Sequence, residues 1–335
     1  MRQRLEPQLV NDGFGDPALY VDFRDERRAL LFDLGDLSRL PPRRLLRLTD
    51  VFVTHAHIDH FIGFDHLLRV LLGRKESLRL HGGPGFIAQV EHKLGAYTWN
   101  VVRRYEVPLV LEVAELAPQA RRRARFSSRF AFAREDAPAA ARNDHCVHAE
   151  PSFRVRARFV DHEMPCLAYA LEESTHVAVW KSRLAEMGLT TGPWLRAAKQ
   201  ALLRGAPPDA PIAVHWHGRG GVHDATRTLR ELMPALRTVP GKRIGDATDF
   251  LYTEANLAAL DGLLAGVDLL FIESAFLEAE AAHAARKNRL TARQADTIAR
   301  RVGAKAVVPF HFSPRDAERA AEPIAEVQAA WAGTA

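Results

Sequence analysis

The residues best suited to chemistry stand together in one short segment, HAHIDH (55–60). Alternate side chains of an extended chain point the same way, so His55 and His57 can offer two imidazoles to one ion. The turn that follows can direct Asp59 and His60 toward a second ion beside the first. Imidazole and carboxylate are donors that zinc prefers, and a catalytic zinc leaves one position open for water. The segment therefore predicts a hydrolytic metal site.

Strand and helix patterns place this segment on a loop. The preceding run DVFVT (50–54) is β-branched and aromatic, which predicts a strand. After Gly63, FDHLLRVLL has the apolar spacing of a helix. Further apolar runs also lead to residues that can bind metals: 154–160 before His162, 242–244 before Asp246 and Asp249, 267–272 before Glu273, and 306–310 before His311. The pattern predicts strands that deliver polar residues to one edge of a sheet.

The composition of the 335-residue chain excludes several classes of protein. Hydrophobic residues make up 47% and charged residues 26%, which fits a globular protein and excludes disordered, collagen-like and disulfide-dense chains. The excess of 46 basic over 41 acidic residues is too slight to indicate nucleic acid by itself. No run reaches the ~18 apolar residues that cross a membrane, and the start lacks an apolar secretion signal. We expect a cytoplasmic protein with no membrane partner and with Cys146 and Cys166 reduced.

The middle of the chain carries segments without a clear period. The alanine-rich stretch around Pro138 and the run GAPPDAP (205–211) predict surface loops or insertions. The run RRRAR (121–125) predicts a solvated face, and HWHGRGG (215–221) predicts a glycine-containing hairpin. Because no internal repeat is present, we expect one domain over residues 1–335 with insertions at about 117–150 and 180–240.

Several motifs carry a resemblance to a known family. FVTHAHIDH resembles the HxHxDH signature of the metallo-β-lactamase superfamily, and FDLG (32–35) is similar to the strand-and-turn motif upstream of it. Four further segments resemble ribonuclease Z, the zinc phosphodiesterase that trims the 3′ ends of precursor tRNA: DHEMPCLAY (161–169), GLTTGPWLRAAK (188–199), VDLLFIESAF (267–276) and VPFHFSPRD (308–316). The resemblance implies an α/β chain folded as the four-layer αββα metallo-β-lactamase sandwich and assembled as a homodimer.

The resemblance also implies a site for two zinc ions, with manganese or iron as the alternatives. Two sets of ligands follow from it, three histidines in one and a carboxylate with two histidines in the other: His55, His57 and His162, and Asp59, His60 and His311. A bridging aspartate is implied after the strand that precedes VDLL. We prefer Asp249, because its distance to Glu273 is nearer that of the family, and Asp246 is the alternative.

One position departs from the family. Where the resemblance implies a histidine that helps proton transfer to the leaving group, this chain has Arg289. Arginine can stabilise developing phosphoryl charge but cannot act as a general acid near neutral pH. Glu273, which would orient the histidine, is expected to pair with Arg289, either as part of the catalytic site or as an ordinary ion pair. His283 lies too early in the chain to replace the histidine, and we expect a solvated helix residue there.

The motifs together predict a metal-dependent hydrolase. The resemblance implies a ribonuclease Z-like phosphodiesterase that acts on precursor tRNA through an arm carrying Gly192, Pro193 and Lys199; a solvated surface helix is the alternative for that segment. The metal pair activates water, and Asp59 is the candidate acceptor of its proton. One alternative is hydrolysis of a small-molecule ester, lactone or cyclic nucleotide without tRNA processing. The other is an inactive nucleic-acid-binding relative, against which the complete ligand set argues.

Overall fold

The computed structural model describes residues 4–24, 26–141, 145–218, 221–315 and 324–326. The strands in these residues are β1 (Leu5–Leu9), β2 (Leu19–Phe23), β3 (Ala29–Phe32), β4 (Leu48–Phe52), β5 (Ser77–Gly82), β6 (Val110–Leu116), β7 (Ala120–Ser127), β8 (Arg134–Ala141), β9 (Cys146–Glu150), β10 (Phe153–Asp161), β11 (Pro165–Glu173), β12 (His176–Val179), β13 (Pro211–Gly218), β14 (Gly221–Thr228), β15 (Leu236–Val239), β16 (Arg243–Ala247), β17 (Leu269–Glu273) and β18 (Val307–Phe310). The α-helices are α1 (Pro42–Leu45), α2 (Ile58–Phe61), α3 (Phe64–Leu71), α4 (Phe86–Gly95), α5 (Lys181–Glu186), α6 (Trp194–Leu203), α7 (Leu229–Leu232), α8 (Glu254–Leu264), α9 (Ala281–Arg286) and α10 (Ala292–Arg301).

The chain divides into two compact units. The first comprises Met1–Glu150, Arg154–Glu172 and Arg243–Ala335, and the second comprises Pro151–Phe153 and Glu173–Lys242. The first unit contains an eight-stranded sheet in the order β1 to β8 and a six-stranded sheet in the order β18-β17-β16-β11-β10-β9. The second contains the strand pairs β12–β15 and β13–β14. The single domain with insertions at about 117–150 and 180–240 stays a prediction.

The first unit is built in layers. One apolar cluster joins α3 and α4 to the eight-stranded sheet, and another joins α8 and α10 to the six-stranded sheet. The two sheets meet at Tyr169 of β11, whose ring lies 5.7 Å from the rings of both Phe32 and Phe52. The hydroxyl of Tyr169 donates to the carbonyl oxygen of Val53 at 2.8 Å. This is the helix–sheet–sheet–helix order that the sequence predicts.

Parallel strands bring the polar residues to common edges. Strands β3 to β6 are parallel to one another, as are β16 to β18. Loops follow the carboxyl ends of such strands, and these ends meet at one edge of the sheet, so polar side chains placed there lie close together. The residues at the carboxyl ends include Asp33 after β3, His55 after β4, Asp249 after β16, Glu273 at the end of β17 and His311 after β18. The parallel arrangement of these strands thus brings the polar side chains at their carboxyl ends together.

The alanine-rich stretch around Pro138 is a strand, so the prediction of a loop there is wrong. It forms β8 at the end of the eight-stranded sheet, paired with β7. The register between these strands shifts between Arg121 and Arg123, opposite Pro138. Proline has no N–H to donate, and it is tolerated at edge strands and bulges for that reason. Composition alone did not reveal that an edge position was available.

Two short-range signals of the sequence have the structure that is typical of them. Thr291 followed three residues later by Gln294 is the spacing of a capping box, and the two residues form one, reciprocally, at the start of α10. The predicted glycine hairpin is the β13–β14 pair, in which Gly218 lies opposite Gly221. Arg219 and Gly220 at its tip lie outside the described residues. Both signals depend on residues that are close in the sequence, so they can be recognised without the tertiary structure.

Candidate metal centre

A hydrogen-bonded frame behind the HAHIDH loop fixes two of its histidines. Asp33 accepts hydrogen bonds from the backbone N–H of Thr54 at 2.7 Å, from Thr54 Oγ1 at 2.9 Å and from His60 Nδ1 at 2.8 Å. Thr54 Oγ1 also lies 3.0 Å from His55 Nδ1. Because Nδ1 of each ring is engaged, Nε2 is the nitrogen left for a ligand. Nε2 of both rings is buried and has no hydrogen-bond partner among the described residues.

One carboxylate oxygen faces the free nitrogens of three imidazoles. Asp249 Oδ2 lies 3.5 Å from His55 Nε2, 3.4 Å from His60 Nε2 and 3.6 Å from His162 Nε2. This oxygen is itself buried and accepts no hydrogen bond from any described residue. Asp249 Oδ2, His55 Nε2 and His60 Nε2 are thus three buried atoms without a hydrogen-bond partner among the described residues, which is costly. A divalent cation among them would satisfy all three, with His162 Nε2 as a further ligand, so the residues fit a metal site.

The potential ligands converge in overlapping groups. Within each group, the ligand atoms lie within 4.8 Å of one another: His55, His57, His162 and Asp249; Asp59, His60 and His311; and Asp249, Glu273 and His311. The first two groups contain the two ligand sets implied by the resemblance. Asp249 belongs to the first and third groups. Asp246 belongs to no such group among the described residues, because it lies within β16 rather than beyond its end.

Three residues of the centre have unusual backbone conformations, which set the directions of their side chains. Asp33, Asp249 and His311 have φ angles of 60°, 56° and 58°, in the left-handed region. A residue other than glycine pays about 1–3 kcal/mol for such a conformation. All three lie within two residues of the end of a strand. The surrounding structure therefore holds these side chains in place against a local preference, as is common at functional sites.

Two glycines allow the loops of the site to approach. A Cβ atom on Gly63 would lie 2.1 Å from the carbonyl oxygen of Gly35. A Cβ atom on Gly35 would lie 2.8 Å from the carbonyl oxygen of Asp59. Both distances are shorter than atoms can tolerate, so any larger residue would push the FDLG turn away from the HAHIDH loop.

The electrostatics of the centre favour a bound cation. Burial lowers the pKa of His55 to about 2, and the other histidines add to this effect. Burial also disfavours charged His60, but the carboxylates of Asp33 and Asp249 outweigh it and raise the pKa of His60 well above its ordinary value. Burial disfavours ionised Asp249, yet His311 and His60 hold the pKa of Asp249 well below its ordinary value. The carboxylate field that draws a proton to His60 is the field a cation would meet.

Arg289 reaches the same centre. Its Nη1 contacts Asp249 Oδ1 and lies 3.1 Å from Glu273 Oε2 and 3.0 Å from His311 Nδ1. Glu273 Oε1 accepts a hydrogen bond from the backbone N–H of Leu290 at 3.0 Å. Burial raises the pKa of Glu273 to about 7, with Asp249 adding to the rise and Arg289 opposing it. Glu273 therefore lies beside Arg289. Arg289 in turn contacts Oδ1 of Asp249, the residue whose Oδ2 faces the three imidazoles.

A cavity of about 890 Å³ opens onto these residues. Its lining includes these residues of the centre: His57, Asp59, His162, Arg289 and His311. Three further cations line it as well: Arg286, Lys287 and Arg315. They offer positive charge to an anionic substrate, beside the carboxylates of Asp16 and Glu163 in the same lining.

His283 lies in a helix, α9, as expected from the sequence, and it also borders the cavity. It is half-buried and lines the same cavity. Its ring meets that of Phe276 edge-on at 5.0 Å. Arg286 Nη2 lies 3.3 Å from its Nδ1, and Arg315 Nη1 lies 3.1 Å from its Nε2. The sequence did not show that α9 borders the site, which depends on tertiary packing.

Sequence reasoning missed several residues of the centre. It assigned no role to Asp33, although a polar residue directly after the buried strand β3 was a usable signal. It also missed Asn288, whose carbonyl oxygen lies 3.1 Å from His162 Nδ1. The cations Arg286 and Lys287 belong to the run RKNR (286–289), which could have indicated a basic rim next to position 289. Their proximity to the site depends on tertiary packing.

The three residues predicted to bind substrate lie in the second unit. Pro193 precedes α6 and Lys199 lies within it. A Cβ atom on Gly192 would lie 2.9 Å from Trp194 Cδ1 and 3.0 Å from the carbonyl oxygen of His215, so the glycine allows a close approach. The Gly-Pro motif thus has a packing role at the start of α6. Its role in substrate binding stays a prediction.

Comparison with solved structures identifies the class of protein. The crystal structure of the short form of human tRNase Z matches with a TM-score of 0.53 and 15% identity, covering 92% of this chain and 93% of that one. The metallo-β-lactamase fold protein YhfI from Bacillus subtilis matches with a TM-score of 0.55 and 13% identity, covering 98% of this chain and 93% of that one. The chain therefore has the metallo-β-lactamase fold, as predicted.

Sequence relatives identify the family. Ribonuclease Z from Deinococcus radiodurans is 33% identical over 317 residues, which cover 93% of this chain and 91% of that protein. Ribonuclease Z from Limosilactobacillus reuteri is 28% identical over 342 residues, covering 96% of this chain and 92% of that protein. The chain belongs to the ribonuclease Z family, whose members are metal-dependent hydrolases, and the predicted subfamily is confirmed. No family model matches the chain.

The described helices include none that is both long enough and apolar enough to cross a membrane. The cytoplasmic location and the homodimer implied by the resemblance stay predictions.

Proposed function

We propose that the chain is a phosphodiesterase whose first unit holds two divalent cations, zinc first of all, with manganese or iron as alternatives. The observation that carries this proposal is the bare, buried oxygen Asp249 Oδ2, which lies 3.4 to 3.6 Å from Nε2 of three histidines. Two sets of ligands would hold the cations on either side of Asp249: His55, His57 and His162, and Asp59, His60 and His311. Asp246 is the alternative to Asp249 and lacks these neighbours.

Cations bound there would polarise a phosphoryl oxygen and lower the pKa of water. The protein's own groups prepare this chemistry. Asp33 holds the Nδ1 proton of His60 and so keeps its Nε2 directed into the centre. Asp59 Oδ2 lies 3.3 Å from His311 Nε2 and 3.6 Å from His60 Nε2, at the wall of the cavity. In our proposal, the other oxygen of Asp59 accepts the proton of the attacking water.

Arg289 would bind a phosphoryl oxygen of the substrate. Glu273 and Asp249 hold its guanidinium at the cavity wall, and planar N–H donors suit a phosphate that gains charge as it reacts. Burial alone would lower the pKa of Arg289, but the two carboxylates raise it instead. Arg289 therefore keeps its proton, and the leaving oxygen must depart without a proton from this residue.

RNA is the substrate class that we propose, with precursor tRNA as the specific candidate. The relatives carry the names ribonuclease Z and tRNase Z. Arg286, Lys287 and Arg315 at the cavity suit the phosphates on either side of a scissile bond. Gly192, Pro193 and Lys199 remain the candidate contacts for a more distant part of the tRNA.

A second candidate function is favoured by Arg289. An enzyme without a general acid at this position would act best on esters whose leaving group is stable as an anion. Aryl phosphodiesters and activated esters are such substrates, whereas the ribose oxygen that leaves from RNA or from a cyclic nucleotide, like the alkoxide that leaves from a lactone, is a poor leaving group. This candidate keeps the metal pair and removes precursor tRNA from the substrates.

Elemental analysis tests the metal centre. We expect about two metal equivalents per chain, and hydrolysis of bis(p-nitrophenyl) phosphate that a chelator abolishes and zinc restores. His57→Ala should lose metal and activity. The matched control is His66→Ala, which changes an exposed histidine on α3 and should retain both. A native protein that is active without metal would overturn the proposal.

Arg289→His distinguishes the two candidates. A histidine can donate a proton, and general acid catalysis contributes about 10²–10⁴-fold. If the second candidate is correct, the wild type should cleave bis(p-nitrophenyl) phosphate with little turnover of precursor tRNA. Arg289→His should then raise the ratio of tRNA to nitrophenyl ester cleavage by about 10²-fold, and Arg289→Ala should not. Efficient trimming of precursor tRNA by the wild type would support the first candidate instead.

A further inference from the structure

The first unit contains a second cavity, of about 610 Å³, between strands β5 to β9. Its polar lining is mostly cationic, with Glu112 as its carboxylate and these basic residues: Arg79, Arg121, Arg123, Arg125, His81 and His148. Neither the ligand set of the metal centre nor the proposed hydrolysis uses any of them. The volume lies within the roughly 300–1,000 Å³ of small-molecule sites.

The register of the sheet separates two of these arginines. Arg125 lies between Glu112 of β6 and Glu135 of β8, and its Nη1 is 3.4 Å from Glu135 Oε2. Arg125 therefore has a glutamate as its cross-strand neighbour on both sides and forms an ion pair with one of them, Glu135.

Arg123, one step along the same face, has different neighbours. It lies between Ala114 of β6 and Ala137 of β8. No described residue forms an ion pair with it. The two alanines leave a hollow beside the guanidinium, and no carboxylate fills it. This arrangement leaves positive charge available inside the cavity.

The other end of the same row holds a buried histidine with an unused nitrogen. His81 of β5 lies opposite Ala114, so Ala114 separates it from Arg123. His81 is 5% exposed and its Nε2 lies 3.4 Å from Asp50 Oδ1. Its Nδ1 is buried and has no hydrogen-bond partner among the described residues. Ala114 therefore lies between two groups that lack a partner among the described residues: His81 Nδ1, which has no hydrogen bond, and the guanidinium of Arg123, which has no ion pair.

The charges around His81 favour an anion over a metal ion. Asp50, His81 and His148 have ligand atoms within 4.8 Å of one another. However, Arg79 Nε donates to Asp50 Oδ1 at 2.5 Å and Arg79 Nη2 donates to Asp50 Oδ2 at 2.8 Å. Both oxygens are engaged, and a metal ion would lie beside a guanidinium. Guanidinium groups match the geometry of phosphate, which they can bind through two parallel N–H donors.

We propose that this cavity binds a small phosphorylated molecule, up to a mononucleotide in size, with its phosphate on Arg123 and its body over Ala114 toward His81. An RNA chain is the less suitable occupant, because single strands bind in open grooves with stacking platforms, whereas the His81 end is almost fully buried. The shared chemistry is a phosphate monoester, carried by a sugar phosphate or by a nucleotide.

Cys146 supplies a readout located in the cavity itself. It lines the cavity and is partly exposed, whereas Cys166 is fully buried and serves as an internal control. The metal-loaded protein is treated with iodoacetamide, and modification of Cys146 is followed by mass spectrometry. The probes are inorganic phosphate, ribose 5-phosphate, AMP and a single-stranded oligouridylate. We expect ribose 5-phosphate or AMP to slow the modification at saturating concentration.

Matched variants locate the phosphate. Arg123→Ala should weaken binding of the protecting monophosphate at least ~10-fold, since a hydrogen-bonded charge is lost. Arg125→Ala should change it less, because Glu112 and Glu135 already offset that charge. Ala137→Glu should reproduce the loss by giving Arg123 the neighbour that Arg125 has, at an exposed edge position where folding is retained. All three should retain hydrolysis of bis(p-nitrophenyl) phosphate.

Several outcomes would overturn the proposal. Protection of Cys146 by none of the monophosphates would do so, as would protection by the oligouridylate alone. Equal weakening by Arg123→Ala, Arg125→Ala and Arg122→Ala would indicate nonspecific attraction, because Arg122 pairs with Glu115 and does not line the cavity. A metal equivalent lost on His148→Ala would assign the cluster to a cation instead. None of these results depends on whether the proposed hydrolysis is correct.

Discussion

Two clusters in the first unit have similar compositions and different states of their central aspartate. Asp249 lies among three histidines and its Oδ2 atom has no hydrogen-bond donor among the described residues. Asp50 lies beside His81 and His148, and Arg79 occupies both of its oxygens. Residue types alone would mark both clusters as metal sites. What separates them is whether the carboxylate still has an unused lone pair facing the imidazoles.

The difference shows how one set of residue types serves two purposes. At Asp249, unused donor atoms remain buried, which costs free energy unless a ligand is bound. At Asp50, an arginine neutralises the carboxylate, so both carboxylate oxygens are satisfied without a ligand. The first arrangement suits a cation. The second pairs Asp50 with Arg79, which lines the cationic cavity, and Arg123 is the residue that we propose binds an anion there.

Exchanging each aspartate for asparagine gives the largest expected contrast. Asp249→Asn should lose metal and about 10³-fold or more in the hydrolysis of bis(p-nitrophenyl) phosphate, because metal ions supply several kcal/mol of transition-state stabilisation. Asp50→Asn should retain both. Elemental analysis and initial rates measure the two effects. Metal loss in Asp50→Asn at the level of Asp249→Asn would remove the distinction between the clusters.

The frame behind the histidines should give the next largest effect. Asp33→Asn removes the carboxylate that holds the Nδ1 proton of His60. Loss of such a supporting group costs about 10–100-fold in metal affinity, which competition with a chromogenic chelator can measure. Asp36→Asn alters an exposed carboxylate three residues away, which receives a hydrogen bond from the backbone N–H of Ser38, and should leave the affinity unchanged. If both variants bind metal as the wild type does, His60 is not oriented by Asp33.

The sequence predicted the parts of the site that depend on strand ends. His55, His57, Asp59 and His60 follow a strongly apolar run, and His311 follows another, so their positions could be predicted without the tertiary structure. The choice between Asp246 and Asp249 stayed open, because the end of β16 cannot be located to within three residues from propensity alone. The hydrophobic periodicity of the sequence likewise does not predict the left-handed φ angle of Asp249.

Features that depend on strand register could not be predicted. The run RRRAR was expected to be a solvated face, and on β7 three of its arginines are exposed, whereas Arg121 is half-buried and Ala124 is buried. Only the pairing of β6, β7 and β8 shows that Arg125 meets two glutamates while Arg123 meets two alanines. Single residues along a sequence do not reveal cross-strand neighbours, which arise from long-range pairing. The same holds for Arg79 and Asp50.

The ion pair between Asp50 and Arg79 should contribute measurably to the free energy of unfolding. Asp50→Asn should lower the free energy of unfolding at neutral pH by about 1–2 kcal/mol, less than for a fully buried pair because Arg79 is 33% exposed. Burial raises the pKa of Asp50, but hydrogen bonds from Arg79 and His81 outweigh it and hold the pKa below its ordinary value. The contribution is therefore present above the unfolded pKa of about 4 and lost as the pH falls further. Urea denaturation of both proteins should show their difference shrinking below about pH 4.

Glu150→Gln should have the smallest effect and refines the explanation. Glu150 also contacts Arg79, at 2.9 Å, and lies 3.0 Å from His148, but its side chain is 24% exposed whereas that of Asp50 is fully buried. Ion pairs that water can reach contribute about 0–1 kcal/mol, so urea denaturation should show a decrease below that of Asp50→Asn. Metal content should not change. An equal decrease in the two variants would mean that the burial of Asp50 adds nothing to its ion pair, since Glu150 is exposed to water and pairs with both Arg79 and Arg28.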